Sequence, residues 1–149
     1  MSNIRKAKND DLERIAEIEV FNYRLNFYPI FKNDSFYFDE LRVSEQVENY
    51  LMNTEFLEQT FVYDDGVVKG FIQVEKGEIK KLFVEPVLHG KNIGEKLLGY
   101  AVSEKKAEFL WVLEKNKRAI SFYERHGFRI TSDKRFEPDT TEYLIKLIR

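Results

Sequence analysis

Cysteine is absent from this 149-residue chain. That excludes disulfide staples, thiolate metal sites and a thiol nucleophile together. Histidine is nearly absent: only His89 and His126 occur, too few for a multi-histidine zinc site, so no metal is expected. No charge sign is in clear excess, with 24 Lys and Arg against 26 Asp and Glu. A general phosphate-backbone binder needs a basic surplus, so nucleic acid is not an expected partner. No window approaches the roughly 18 consecutive apolar residues of a membrane span. The opening stretch MSNIRKAKNDDLERI lacks the apolar core of a signal peptide, which makes the cytoplasm the expected compartment and a membrane an unexpected partner. Proline is scarce, and Pro29, Pro86 and Pro138 punctuate the chain without dividing it. With no repeat, low-complexity tract or Pro/Gly/Ser linker, residues 1–149 read as a single domain.

What is present suits a packed core: 43% of residues are apolar and 15% aromatic. Ile4 to Lys8 reads as a short strand. Asn9-Asp10-Asp11 then supplies capping side chains for a helix on which Leu12, Ile15, Ala16 and Ile18 recur at helical spacing. A second helix is expected from Ser44, with Ser44, Val47, Tyr50 and Leu51 on one face. From Thr60 the pattern becomes strand-like. Asp64-Asp65-Gly66-Val67 is a hairpin signal, and Lys76-Gly77 a second turn, so three strands should form an antiparallel meander ending at Pro86. Ile93, Leu97, Leu98, Ala101 and Val102 mark a helix to about Lys106, and Phe109 to Leu113 a strand. A helix beginning at Asn116 and stopped by Gly127 follows, then strands over Phe128–Thr131 and Glu142–Ile148. The expected class is α/β in the α+β sense, a mixed, mostly antiparallel sheet of about seven strands flanked by about four helices.

The most informative segment runs from Ile79 to Leu98. A strand passes directly through a small-residue loop, Leu88-His89-Gly90-Lys91-Asn92-Ile93-Gly94-Glu95, into a helix. Backbone N–H groups at a helix start lack intrahelical partners and converge on an anion. Gly90 and Gly94 carry no Cβ to hold phosphate oxygens away, and Lys91 adds a charge at the rim. The same glycines also serve if they only turn the chain and let the helix pack. Neither the P-loop spacing nor the dinucleotide Gly-x-Gly-x-x-Gly fits. The second segment, Asn116 to Phe128, places Ala119, Phe122, Tyr123 and His126 on one helical face.

The order of these two segments resembles the GNAT N-acetyltransferase superfamily, whose loop is written Gln/Arg-x-x-Gly-x-Gly/Ala. His89, Asn92 and Gly94 fall on its defined positions. His89 stands where Gln or Arg is usual and Asn92 where the first Gly is usual, a mild change because Asn tolerates left-handed backbone. The resemblance implies a GNAT-like fold and acetyl-CoA as cosubstrate. It implies that backbone groups of Leu82, Phe83 and Val84 face the pantetheine arm and thioester, and that His89, Gly90, Lys91, Asn92, Ile93, Gly94 and Glu95 hold the pyrophosphate. Asn116 would bond the pantetheine arm. Tyr123 would be the general acid at the departing sulfur, and its free phenol, with a pKa of about 10, is protonated at neutral pH.

A neutral amine is needed for attack, and Glu78, at the start of the strand leading to Leu82, is the candidate base; Glu85 is a weaker one. Strict alternation puts Glu78, Lys80 and Leu82 on one face and Ile79, Lys81 and Phe83 on the other. Tyr23, Phe27, Tyr28, Phe31, Phe36, Tyr37 and Phe38 occupy the region where the family shapes its acceptor pocket, with Asp34, Asp39 and Glu40 nearby to attract a cation. The same aromatics would equally cover the first two helices. The expected activity is acetyl transfer to a primary amine of a small molecule or peptide by direct attack in a ternary complex, in a monomer or homodimer. A CoA-binding regulatory or partner-dependent module is the alternative.

Overall fold

The computed structural model describes residues 2–149. Seven strands form one sheet in the order β1-β2-β3-β4-β5-β7-β6. They are β1 (Ile4–Lys6), β2 (Thr60–Asp64), β3 (Val68–Glu75), β4 (Glu78–Val84), β5 (Phe109–Leu113), β6 (Arg129–Phe136) and β7 (Tyr143–Ile148). The helices are α1 (Leu12–Asn26), α2 (Tyr28–Phe31), α3 (Val43–Met52), α4 (Phe56–Gln59), α5 (Ile93–Lys105) and α6 (Lys117–Arg125). Among the described residues the two beyond the expected four helices, α2 and α4, are single turns of four residues each. Too few residues are involved for a periodic pattern to reveal them.

Two apolar layers cover the sheet. On one face Ile72, Leu110 and Leu147 pack with Leu97, Leu98 and Ala101 of α5. On the other, Val62 and Phe71 pack with Ile15 and Ile18 of α1 and Phe56 of α4. Each such fully buried side chain contributes about 1.5–3 kcal/mol of transfer free energy. Gly70 permits the close approach of α5: a Cβ there would lie 3.1 Å from both Leu97 Cδ1 and the Phe83 carbonyl oxygen. The start of α1 is clasped by charge. Arg5 Nη1 and Nη2 donate to Asp11 at 2.8 and 2.9 Å, and Arg5 Nη2 also reaches Asp64 at 2.9 Å. Asp11 accepts in turn from the Lys8 amide at 2.8 Å.

The meander β2–β3–β4 is antiparallel as expected. Its last strand departs from strict alternation, because Gln73 pairs with Lys81 and Val74 with Ile79, leaving Lys80 as an extra residue. This bulge resets the phase. Ile79 and Leu82 now share the α5 face, while Phe83 joins the α1 face and Lys81 reaches Glu19 of α1. Beyond the bulge β4 also loses its other neighbour. It pairs in parallel with β5 only at Glu78↔Phe109 and Ile79↔Leu110, after which the two strands part. β5 continues in register with β7 from Phe109↔Ile148 to Leu113↔Leu144.

β6 runs to Phe136, well past the expected Thr131. It is an edge strand, mostly exposed, so its Ser132-Asp133-Lys134-Arg135 run carries no apolar alternation to read. Charges of this kind are how sheet edges resist adding foreign strands.

One buried ion pair joins α1 to the sheet. Lys81 Nζ donates to Glu19 Oε1 at 2.6 Å and to the Tyr50 hydroxyl at 2.9 Å, and Glu19 is fully buried. Burial disfavours the Lys81 charge, yet the Glu19 and Tyr23 fields outweigh it and hold the ammonium above its ordinary pKa. Removing one partner from such a pair leaves an uncompensated buried charge, costing about 3–5 kcal/mol. Lys81→Met should therefore destabilise the protein by roughly that amount in urea unfolding, and the double change with Glu19→Leu should recover most of it. A single change that costs nothing would show that the pair does not anchor α1.

Candidate active site

Where β4 and β5 part, the surface opens into two adjoining cavities. Phe27, Leu82, Phe83, Asn116, Ala119 and Tyr123 line both. The first cavity, about 580 Å³, lies between the α1–α2 aromatics, the parted strands and the β6–β7 loop. The second, about 700 Å³, lies between the end of β4, the loop into α5, and α6.

The loop into α5 fits an anion by its backbone. Asn92, the residue before α5, is left-handed at φ 65°, ψ 14°, as expected of the non-glycine residue that best accepts that geometry. Gly90 is likewise at φ 85°. The first amides of α5 lack intrahelical acceptors, and Asn92, Ile93, Gly94 and Glu95 all line the second cavity. Gly94 is not sterically obligatory, since a Cβ would meet Phe122 at an ordinary 3.6 Å.

Two charges that sequence reasoning missed, Arg118 and Arg125 of α6, line this cavity with His89 and Gly90. Expected Lys91 is exposed and lies outside the lining of both. The arginines sit seven residues apart on one helix, a signal that an i, i+7 reading of α6's polar face would have found.

His89 is turned inward. Its Nε2 lies 3.1 Å from the Val84 carbonyl oxygen, which also accepts from Asn22 Nδ2 at 2.8 Å. Burial foremost, with the Arg118 charge, holds the imidazole below its ordinary pKa despite the Val84 contact. Asn116 caps α6, its Oδ1 accepting from the Ala119 amide at 3.3 Å.

Tyr123 lines both cavities at their junction. Burial alone lifts its phenol well above the ordinary value, and no side-chain hydrogen bond contributes to the shift. The phenol is thus protonated and, among the described residues, uncommitted to another side chain.

The two carboxylates expected as bases are elsewhere. Glu78 lies where β4 and β5 are still paired, its Oε1 is 3.6 Å from Lys80 Nζ, and it lines neither cavity. The bulge explains this: the parted stretch begins after Ile79, so a residue before it stays inside the paired sheet. Glu85 is tied to Arg14 at 3.1 Å and also lines neither cavity.

Of the seven expected aromatics, Tyr23, Phe27, Phe31, Phe36 and Tyr37 wall the first cavity. Tyr28 and Phe38 instead pack on each other, ring centroids 5.0 Å apart. Asp34, Asp39 and Glu40 do not line it; Glu137 and Asp139 of the β6–β7 loop do.

This chain belongs to the GNAT acetyltransferase superfamily, and solved acetyltransferases share its fold. The family model for the "Acetyltransferase (GNAT) domain" matches residues 57–130, from β2 through α6. The chain is 30% identical over 134 residues to an uncharacterised N-acetyltransferase of Methanocaldococcus jannaschii, covering 84% of this chain and 59% of that one. It is 24% identical over 131 residues to the peptidyl-lysine N-acetyltransferase YjaB of Salmonella typhimurium, covering 88% and 86%. The PaiA N-acetyltransferase of Thermoplasma acidophilum, solved in complex with coenzyme A, shares the fold at a TM-score of 0.64 and 22% identity, over 96% of each chain. The chain thus spans about three fifths of the length of the M. jannaschii relative and most of the other two.

His89 offers a check on the site. A histidinium contact to a phosphate would weaken as pH rises through the imidazole pKa, whereas a histidine already neutral contributes no such change. Acetyl-CoA affinity should therefore stay flat between about pH 6.5 and 8 and survive His89→Gln within about twofold, read by calorimetry. A steep loss with rising pH that His89→Gln removes would mean that the imidazole carries charge to the ligand.

Proposed function

We propose that this protein is an acetyl-CoA-dependent N-acetyltransferase, a single-domain cytoplasmic enzyme that moves an acetyl group to a primary amine by direct attack in a ternary complex. The observation that carries this reading is the uncommitted Tyr123 phenol at the junction of two cavities with different chemistry. One cavity offers helix-start amides and two arginines to a pyrophosphate; the other offers an aromatic wall to an acceptor.

The residues fit the cosubstrate. Leu82, Phe83 and Val84 lie on the part of β4 that has no β5 partner, so an amide-bearing pantetheine arm can run along it as an added strand would. Asn116, at the junction, retains its Nδ2 donors for the same arm while Oδ1 serves the cap. His89, Gly90, Lys91, Asn92, Ile93, Gly94 and Glu95 form the pyrophosphate loop, with Arg118 and Arg125 supplying the side-chain charge. Coenzyme A bound to the PaiA relative supports the assignment.

In the reaction the neutral amine nitrogen bonds to the thioester carbonyl carbon and the carbon–sulfur bond breaks. The amine proton leaves to solvent, and Tyr123 gives its proton to the departing thiolate, later regaining one from water. A phenol held protonated is suited to that role. No covalent enzyme intermediate is required, which accords with a chain that has no cysteine. Glu78 lies outside both cavities and takes no direct part in removing that proton. The acceptor is a small-molecule or peptide amine, and the peptidyl-lysine activity of the YjaB relative supports the second.

The test is acetyl-CoA binding and amine-dependent release of CoA thiol by three proteins. Tyr123→Phe should bind acetyl-CoA within about twofold of wild type while turnover falls about 10²-fold or more. Glu78→Gln should keep turnover within about threefold across the pH–rate profile, because a distant carboxylate moves a rate little. Undiminished turnover in Tyr123→Phe would remove Tyr123 as the acid. A large loss confined to low pH in Glu78→Gln would restore that residue as the base.

A further inference from the structure

The β6–β7 loop brings one carboxylate over the aromatic wall. Glu137 lines the first cavity with Tyr23, Phe27, Phe31, Phe36 and Tyr37, and it is half-buried. Its charge reaches across the cavity: behind burial, it is among the causes that raise the Tyr23 phenol and that push Tyr37 up to about 12. Burial likewise lifts the Glu137 carboxyl above its ordinary pKa, opposed by Arg135, and no side-chain hydrogen bond contributes. Among the described residues no ammonium or guanidinium lies within 4.0 Å of the Glu137 carboxylate, and the Arg135 charge acts on it only from farther off.

The two cations that line the same cavity among the described residues each have an acidic neighbour. Lys81 is held by Glu19 and Tyr50, and Lys80 lies 3.6 Å from Glu78. Asp139, the other acid, is exposed at the loop's left-handed residue, φ 63°. The cavity thus combines aromatic faces, whose quadrupoles attract cations, with one unpaired, partly desolvated carboxylate. Among the described residues each cation that lines it, Lys80 and Lys81, already has a carboxylate neighbour.

We propose that Glu137 is the specificity-determining residue of the acceptor cavity, docking the substrate amine as an ammonium ion whose apolar stem packs on the aromatic wall. The class of ligand is a primary ammonium on an aliphatic or aromatic stem with no carboxylate beside it. A lysine side chain within a peptide and a small arylalkylamine both have this chemistry, while a free α-amino acid does not. The role in catalysis rests on the acetyltransferase reading; the ammonium site itself does not.

The experiment titrates wild type and Glu137→Gln with three probes by calorimetry: 2-phenylethylamine, Nα-acetyl-lysine N-methylamide, and 2-phenylethanol as a neutral isostere. Acetyl-CoA is titrated separately into each protein. For whichever ammonium wild type binds, Glu137→Gln should weaken it about tenfold, since charge-assisted contacts are the strong ones. Binding of the alcohol should be unchanged. Tighter binding of the lysine derivative assigns a peptide source, and tighter binding of phenylethylamine a small-molecule source.

Three results would each overturn the proposal: equal ammonium affinity in the two proteins, no ammonium binding by wild type, or equal loss of amine and alcohol. Failure to bind acetyl-CoA by wild type would instead sink the transferase reading and leave the ammonium result standing on its own.

Discussion

The pairing of β4 with β5 ends after two residue pairs, and the rest of the site depends on that interruption. A sheet whose strands stay paired has no interior edge to offer. Here the extra residue Lys80 bends β4 away from its parallel neighbour, so an edge opens in the middle of the sheet instead of at its rim. The sheet holds on either side of the opening, because β5 stays in register with β7 and β4 stays paired with β3 through Val84. The opening is therefore a local defect in hydrogen bonding held in place by an intact fold around it.

The two cavities that meet at this opening share six residues, and beyond those they are built largely by different parts of the chain. The anion-receptive one comes mostly from contiguous sequence, the end of β4, its loop and α5, with α6 and the Asn22–Phe27 end of α1 laid against it. The aromatic one is assembled from distant pieces, α1 and α2, the parted strands, and the β6–β7 loop. The buried Glu19–Lys81 pair links these pieces, since it fixes α1 to the strand that bends. Glu19 Oε2 is buried without a hydrogen-bond partner among the described residues, which makes that link exacting: the carboxylate depends on Lys81 for its compensation.

How far the site could be read in advance follows the same division. The Gly90–Gly94 loop and the Tyr123 helix were legible because their residues are neighbours in sequence and obey helix-start and helix-face spacing. Most of the aromatic wall was legible as a composition, although Tyr28 and Phe38 turned to each other. Glu137 was not, because nothing in Phe136-Glu137-Pro138 says which cavity a hairpin loop will overhang. The place of Glu78 outside both cavities is hidden for a related reason: strict alternation assumes an unbroken strand, and a one-residue bulge carries no compositional mark when the extra residue is a lysine among charged neighbours. The outline of the sheet was recovered, and the long polar edge β6 was not, since an exposed strand has no burial pattern to betray it.

The Val84 carbonyl, where Asn22 and His89 converge, has a thermodynamic consequence. One acceptor ties together the end of β4, the first helix and the loop that follows. The conformational entropy of fixing that loop is incurred largely when the chain folds. A ligand arriving later meets amides already aimed and forfeits less of its interaction energy to ordering the backbone. The readiness of the loop is thus set within the protein, by contacts that never touch the ligand.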